Sequence, residues 1–301
     1  MQKAKKIDVH VHAVLYPDIV PDCKWGGRAL SAEEHLEYYE KIDIERGVLL
    51  PIVAPEGQLH PISCESAKII CEKYPDKFFW FCNVDPRFLA NAETSDFKVI
   101  LLHYKNLGAK GVGEITSNMH VDDPRVQKLM ATCAELDMPV TFHIGPTEGG
   151  CYGLIDDLHL PKIEKLLQDY PDLKLIGHSQ PFWMEMGTDV NLQNRNDCCP
   201  TTKVIEGRIP ELMRKYPNLY GDLSAGSGSN ALMRDEEYAV KFIEEFADRL
   251  MYGCDVCSKA TDIHYNFAAW LDKMVDEGKI SIENYNKIVR ENAIRILKLD
   301  I

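Results

Sequence analysis

His10 and His12 stand one residue apart in Ile7-Asp8-Val9-His10-Val11-His12. On an extended strand the side chains at i and i+2 share a face. Two imidazoles so placed can converge on one point, and imidazole suits Zn, Fe, Ni and Cu. A His-x-His pair by itself arises often by chance. Its weight comes from three other residues. His143 closes Val140-Thr141-Phe142-His143, His178 closes Leu175-Ile176-Gly177-His178, and Asp255 closes Met251-Tyr252-Gly253-Cys254-Asp255. Each ends a short β-branched or aromatic run. Any one of these histidines could be a rim residue bonded to backbone. Taken with the aspartate, they read as ligands of a divalent cation. An ion held by three or four protein ligands with one position open lowers the pKa of bound water to about 7.

Glu114 ends a similar run, Lys110-Gly111-Val112-Gly113-Glu114-Ile115. By its position it reads as an inward glutamate bonded to a ligand histidine or to substrate. Cys254-x-x-Cys257 brackets Asp255, but it lies at a strand end and not at the helix start of a redox motif, so two packed thiols are expected. His120 follows Glu114 closely and is a weaker candidate for substrate contact. His35, His60, His103, His159 and His264 fall on helical or loop patterns and are read as surface or packing residues. Ala225-Gly226-Ser227-Gly228-Ser229 carries no Walker lysine and is read as a flexible loop beside the site.

The elements that must position these residues alternate along the chain. Strand patterns cover 6–12, 47–53, 78–84, 109–115, 138–144, 173–178, 218–222 and 250–255, with helical patterns between them and after the last. Repeated βα units imply parallel strands. Eight of them ending in helix fit a closed (β/α)8 barrel, an α/β TIM barrel, better than an open doubly wound sheet. Ser31-Ala32-Glu33-Glu34 reads as a capping box, and Asp123-Pro124 as an N-cap with proline at the first helical position. Tyr74-Pro75-Asp76, Tyr170-Pro171-Asp172 and Tyr216-Pro217-Asn218 repeat one helix-stopping phrase. Two connections are long, 13–30 after the first strand and 179–210 after the sixth. Both follow C-terminal strand ends, where barrel enzymes build their sites. No Gly/Ser linker divides the chain, so residues 1–301 are expected to form one domain.

The bulk properties exclude other classes. A net charge of −13 repels a phosphate backbone, so nucleic acid is not an expected partner. No stretch approaches the ~20 apolar residues of a membrane span. The ten cysteines are scattered, as reduced thiols in a cytoplasmic protein would be. The expected partner is a small-molecule substrate, and assembly into a homo-oligomer is compatible with this class.

With these residues in this order, the chain resembles the amidohydrolase superfamily over nearly its whole length. It is most similar to the branch, often called amidohydrolase 2, that contains aminocarboxymuconate-semialdehyde decarboxylase and related hydrolases. The resemblance rests on His10-Val-His12, His143, His178 and Asp255. It implies that His10, His12, His143 and Asp255 hold a metal at the C-terminal mouth of the barrel. His178 is then a catalytic group or a ligand of a second metal, and Glu114 a bridge between the two. Zinc is the expected ion, manganese or iron are alternatives, and one or two ions are compatible with the set. Cys254 departs from the serine usual before this aspartate.

The reaction implied is hydrolysis of a carbonyl, ester, lactone or amide substrate, with Asp255 taking the proton of the attacking water. Arg28 and Arg195, in the two long loops, are candidates to grip a substrate carboxylate bidentately. The alternative is a non-oxidative, metal-dependent decarboxylase, in which His178 or Asp255 supplies the proton that replaces carbon dioxide. A third reading is a metal-binding protein without catalysis.

Overall fold

A computed structural model describes residues 2–22, 27–57, 62–198, 200–258 and 262–301, with 262–264 described by backbone alone. Its strands are β1 Lys6–Val11, β2 Ile44–Leu49, β3 Phe78–Trp80, β4 Val112–Ile115, β5 Val140–Gly145, β6 Leu154–Ile155, β7 Leu175–His178, β8 Leu219–Asp222 and β9 Leu250–Met251. Every pairing between these strands is parallel. A parallel pair needs a crossover, and helices supply most of them.

One sheet runs β1-β2-β3 and the other β4-β5-β7-β8-β9, with β6 added on β5. Backbone bonds join the two sheets at both edges. Cys82 N donates to Gly111 O at 3.0 Å, and Gly113 N to Cys82 O at 2.9 Å. On the other side Val9 N donates to Tyr252 O at 3.1 Å, and Asp255 N to His10 O at 3.0 Å. The sheet is thereby a closed barrel of eight parallel strands, with β6 outside the ring. All eight strand patterns of the sequence lie on a barrel strand.

Inside the barrel Ile7, Val9, Val48, Leu50, Phe81, Ile176, Tyr220 and Met251 form one buried cluster, joined by Ala293, Ile296, Leu297 and Leu299 of the C-terminal segment. Strand periodicity then carries the site. His178 lies two residues beyond Ile176, Asp222 two beyond Tyr220, and Asp255 four beyond Met251, so each leaves its strand end on the inner side. The first strand needs a correction of phase, because Ile7 and Val9 are odd-numbered and the histidines even. The β1–β2 register shifts between Asp8 and Val11. A bulge of this kind moves the following side chains to the other face.

Local chemistry fixes the helices. Ser31 Oγ accepts Glu34 N at 3.3 Å and Glu34 Oε2 accepts Ser31 N at 3.0 Å, so the capping box forms. Tyr74, Tyr170 and Tyr216 each cap a helix C-terminus. The stretch expected as a flexible loop is instead an α-helix, Ala225–Met233. Its small residues serve close packing. A Cβ on Gly228 would lie 2.5 Å from the Leu223 carbonyl carbon. The long connection after β7 likewise starts with a short helix, Gln180–Met184. Among the described residues, no helix is long and apolar enough to cross a membrane.

Candidate metal centre

Six side chains converge at the C-terminal mouth: His10, His12, Glu114, His143, His178 and Asp255. His10, Glu114 and His178 are buried to 3% exposure or less. His10 Nε2 and His12 Nε2 face each other at 3.0 Å. Glu114 Oε2 lies 3.4 Å from the first and 3.3 Å from the second. Asp255 Oδ1 lies 3.7 Å and 3.5 Å from the same two atoms. Ligands about 2.1 Å from a tetrahedral ion stand roughly 3.4 Å apart. These four atoms therefore outline a position of the size a divalent ion needs.

A second set stands beside it. Glu114 Oε1 is 2.8 Å from His143 Nδ1 and 3.8 Å from His178 Nε2. Asp255 Oδ2 is 3.6 Å from His178 Nε2. Both carboxylates thus turn one oxygen to each set. The ligand atoms of His10, His12 and Glu114, of His10, His178 and Asp255, and of Glu114, His143 and His178 lie within 4.8 Å of one another in each triad. His143, expected beside His10 and His12, falls with Glu114 and His178.

The charges suit a cation. Burial alone would lower the pKa of His10, but Asp255, Asp222 and Glu114 outweigh it and raise that pKa well above its usual value. Burial would raise Glu114, yet His10, His12 and His143 hold its carboxyl well below the ordinary range. His143 is lowered, chiefly by burial. Three carboxylates that draw positive charge onto a buried imidazole are arranged as a cation would require.

Two further residues hold the candidate ligands and were not singled out from the sequence. Asp222, at the end of β8, places Oδ2 2.6 Å from His10 Nδ1. Asp8 Oδ1 accepts His10 N at 3.0 Å and Cys254 N at 2.8 Å, while its Oδ2 accepts the Tyr39 hydroxyl at 3.0 Å. It thereby ties β1 to the segment carrying Asp255. Asp222 carried the same signal as Asp255, an acidic residue closing a strand run. His12 Nδ1 faces Leu50 O at 3.0 Å, which leaves Nε2 for the centre.

The other candidates divide. Arg195 is 3% exposed. Its Nη1 donates to Asp156 O at 3.0 Å, and among the described residues its Nε and Nη2 have no partner. Arg28 is already engaged: Nη2 and Nη1 hold the Glu34 carboxylate at 2.6 Å and 3.2 Å. Cys254 is buried and bonds Tyr252, and Cys257 Sγ lies 3.3 Å from Asp255 Oδ1, so the pair packs beside the site. Ring centroids of Tyr152 and His143 are 4.5 Å apart. His120 sits at the rim, 3.3 Å from Lys162 Nζ. His35 is buried and faces His12 O at 3.0 Å. His60 lies outside the described residues, as does the side chain of His264.

Comparison with known proteins matches residues 7–299 to the family model Amidohydrolase (Amidohydro_2). No curated protein sequence matches the chain. Solved structures do. The 2,6-dihydroxybenzoate decarboxylase from Rhizobium aligns over 100% of both chains at 18% identity and a TM-score of 0.62. A probable 2-pyrone-4,6-dicarboxylic acid hydrolase from Acinetobacter baumannii aligns over 98% of this chain and 100% of its own, at 13% identity and a TM-score of 0.58. The 5-carboxyvanillate decarboxylase of Novosphingobium aromaticivorans, complexed with manganese, covers 89% of this chain and 80% of its own, at 19% identity and a TM-score of 0.53. At such identities the likeness establishes the fold.

Proposed function

Because this chain belongs to the amidohydrolase 2 family, we propose that its metal-dependent reaction is hydrolysis of a small, carboxylate-bearing ester, lactone, amide or related carbonyl compound. The observation that carries this reading is the Glu114 carboxylate, with Oε2 toward His10 and His12 and Oε1 toward His143 and His178. A carboxylate split in this way suits two ions, and a two-ion site suits water activation. His10, His12, Glu114 and Asp255 would hold one ion, and Glu114, His143 and His178 the other.

Divalent ions bound there would polarise the scissile carbonyl and acidify the attacking water. Zinc suits the mixed imidazole and carboxylate donors, and manganese is the alternative that the Novosphingobium neighbour favours. Asp255 would take the proton from the attacking water and return it to the leaving oxygen or nitrogen. His178 Nδ1 is turned outward, 3.1 Å from Ser224 Oγ and 3.3 Å from Asp222 Oδ2. Its Nε2 is then bare, which supports a ligand role over that of a proton donor. Arg195, with two unpaired donors, would fork onto the substrate carboxylate. Arg28 has no such capacity while Glu34 occupies it.

Decarboxylation is the second reading, favoured by decarboxylases among the structural neighbours. The test is turnover by zinc- or manganese-loaded protein. Carboxylate-bearing lactones, esters and amides are assayed beside aromatic acids with carbon dioxide detection. Hydrolysis is expected. Carbon dioxide release without hydrolysis would replace this reading with the second. Bound metal with neither activity would leave a metal-binding protein.

A further inference from the structure

Asp222 stands behind both halves of the centre. Its Oδ2 lies 2.6 Å from His10 Nδ1 and 3.3 Å from His178 Nδ1. His10 belongs to one ion position and His178 to the other, so this point rests on the two-ion reading above. The remaining atoms of Asp222 are fixed. Oδ1 accepts Ser224 N at 2.9 Å, and the carbonyl oxygen accepts Trp183 Nε1 at 2.9 Å. Gly253 leaves the space that lets the carboxylate reach across. A Cβ there would stand 2.8 Å from Asp222 Oδ1, 2.8 Å from Ser224 Cβ and 3.3 Å from His10 Cβ.

We propose that Asp222 is a positioning residue for both ion positions at once, one carboxylate oxygen taking the Nδ1–H of His10 and sharing that of His178 with the Ser224 hydroxyl. The carboxylate fixes both rings in the Nδ1–H tautomer and aims two bare Nε2 atoms inward. It also raises their basicity, which a metal-bound imidazole uses. An outer carboxylate of this kind is worth about 10–100-fold in metal affinity. Here one residue serves two ions, so its loss must be felt in both binding steps. Ser224 is the contrast, since its hydroxyl meets only His178, at 3.1 Å.

The experiment is calorimetric titration of metal-free protein with Zn2+, repeated with Co2+ to follow the absorption bands of each site. In Asp222→Asn both stepwise affinities should fall about 10–100-fold, and both sets of cobalt bands should shift. In Ser224→Ala only one step should weaken. Weakening of a single step, or of neither, in Asp222→Asn would overturn the proposal. A single binding event in the native protein would instead remove the two-ion reading. If Asp222→Asn does not fold, the native metal-free protein still decides. NMR should show two downfield imidazole Nδ1–H protons, assigned by their loss in His10→Asn and His178→Asn. Only one such proton would overturn the shared bond.

Discussion

Asp255 Oδ2 stands 3.6 Å from His178 Nε2, while its other oxygen faces His12 Nε2 at 3.5 Å. In the proposed reaction Asp255 would both hold an ion and pass a proton. Asparagine keeps an oxygen for the ion but cannot accept a proton at neutral pH. Asp255→Asn should retain much of its metal and lose about 10²–10⁴-fold in turnover. The measurement is kcat beside metal content. Near-native turnover would move the proton to another group, His178 first.

His143 should fail in a different way. It meets Glu114 Oε1 at 2.8 Å and contributes only to the second set. His143→Asn should lose one ion, and activity should recover in part as metal is added in excess. A titration of activity against Zn2+ checks this. A loss of turnover that no metal concentration restores would contradict a ligand role.

Arg195 should act on binding. Its unpaired Nε and Nη2 are buried, where a forked carboxylate bond is strong. Arg195→Lys should raise KM for a carboxylate-bearing substrate by about 10–100-fold, the 1.5–3 kcal/mol of a hydrogen bond to a charged group. A neutral analogue lacking the carboxylate should be affected far less. Equal effects on both would remove Arg195 from substrate recognition.

Much of this was legible in the sequence, for physical reasons. Strand period and helix punctuation are local, so all eight barrel strands stood out. The candidate site residues stood out because barrel sites gather at strand C-termini. What was not legible was non-local. The β1 bulge that turns His10 and His12 inward depends on pairing with β2. The assignment of His143 to the second set depends on where Glu114 points. The pairing of Arg28 with Glu34 was not legible, because Glu34 reads locally as a cap, and in the structure it both accepts Ser31 N and holds Arg28. The Gly/Ser run, read as a loop, is one that glycine disfavours as helix, but close packing on Leu223 makes it one. Asp222 obeyed the same strand-end rule as Asp255 and was legible.

Ser179 offers a test of the scaffold behind the ligands. It follows His178 with φ 102° and ψ 167°, a region nearly confined to glycine. It is buried, and its Oγ accepts Ile144 N at 3.1 Å, next to His143. Ser179→Ala loses the bond and keeps the backbone strain, whereas Ser179→Gly loses the bond and relieves the strain. The glycine variant should be the more stable of the two by about 1–3 kcal/mol. Equal denaturation midpoints would show that the backbone there is unstrained.

At the opposite end of the barrel, charge should affect stability alone. Lys174 Nζ lies 2.6 Å from Asp137 Oδ1, and Lys298 binds the other oxygen. The two lysines pull the Asp137 carboxyl from 3.8 to about 2. A depressed folded pKa gives stability that is present above the unfolded value, near pH 4, and is lost as pH falls through about 2. The group is half exposed, so the worth is at most about 1 kcal/mol. Asp137→Asn should cost that much at pH 7 and only a small part of it at pH 2 in urea unfolding, with turnover unchanged. A loss of activity would show that this end of the barrel influences the mouth.

Metal content per chain tests the centre most directly. Protein purified without chelator and saturated with Zn2+ is desalted, and metal is counted against protein by plasma mass spectrometry. Two ions per chain are expected in the native protein and one in Glu114→Gln. A native chain that saturates at one ion would contradict a bridging Glu114.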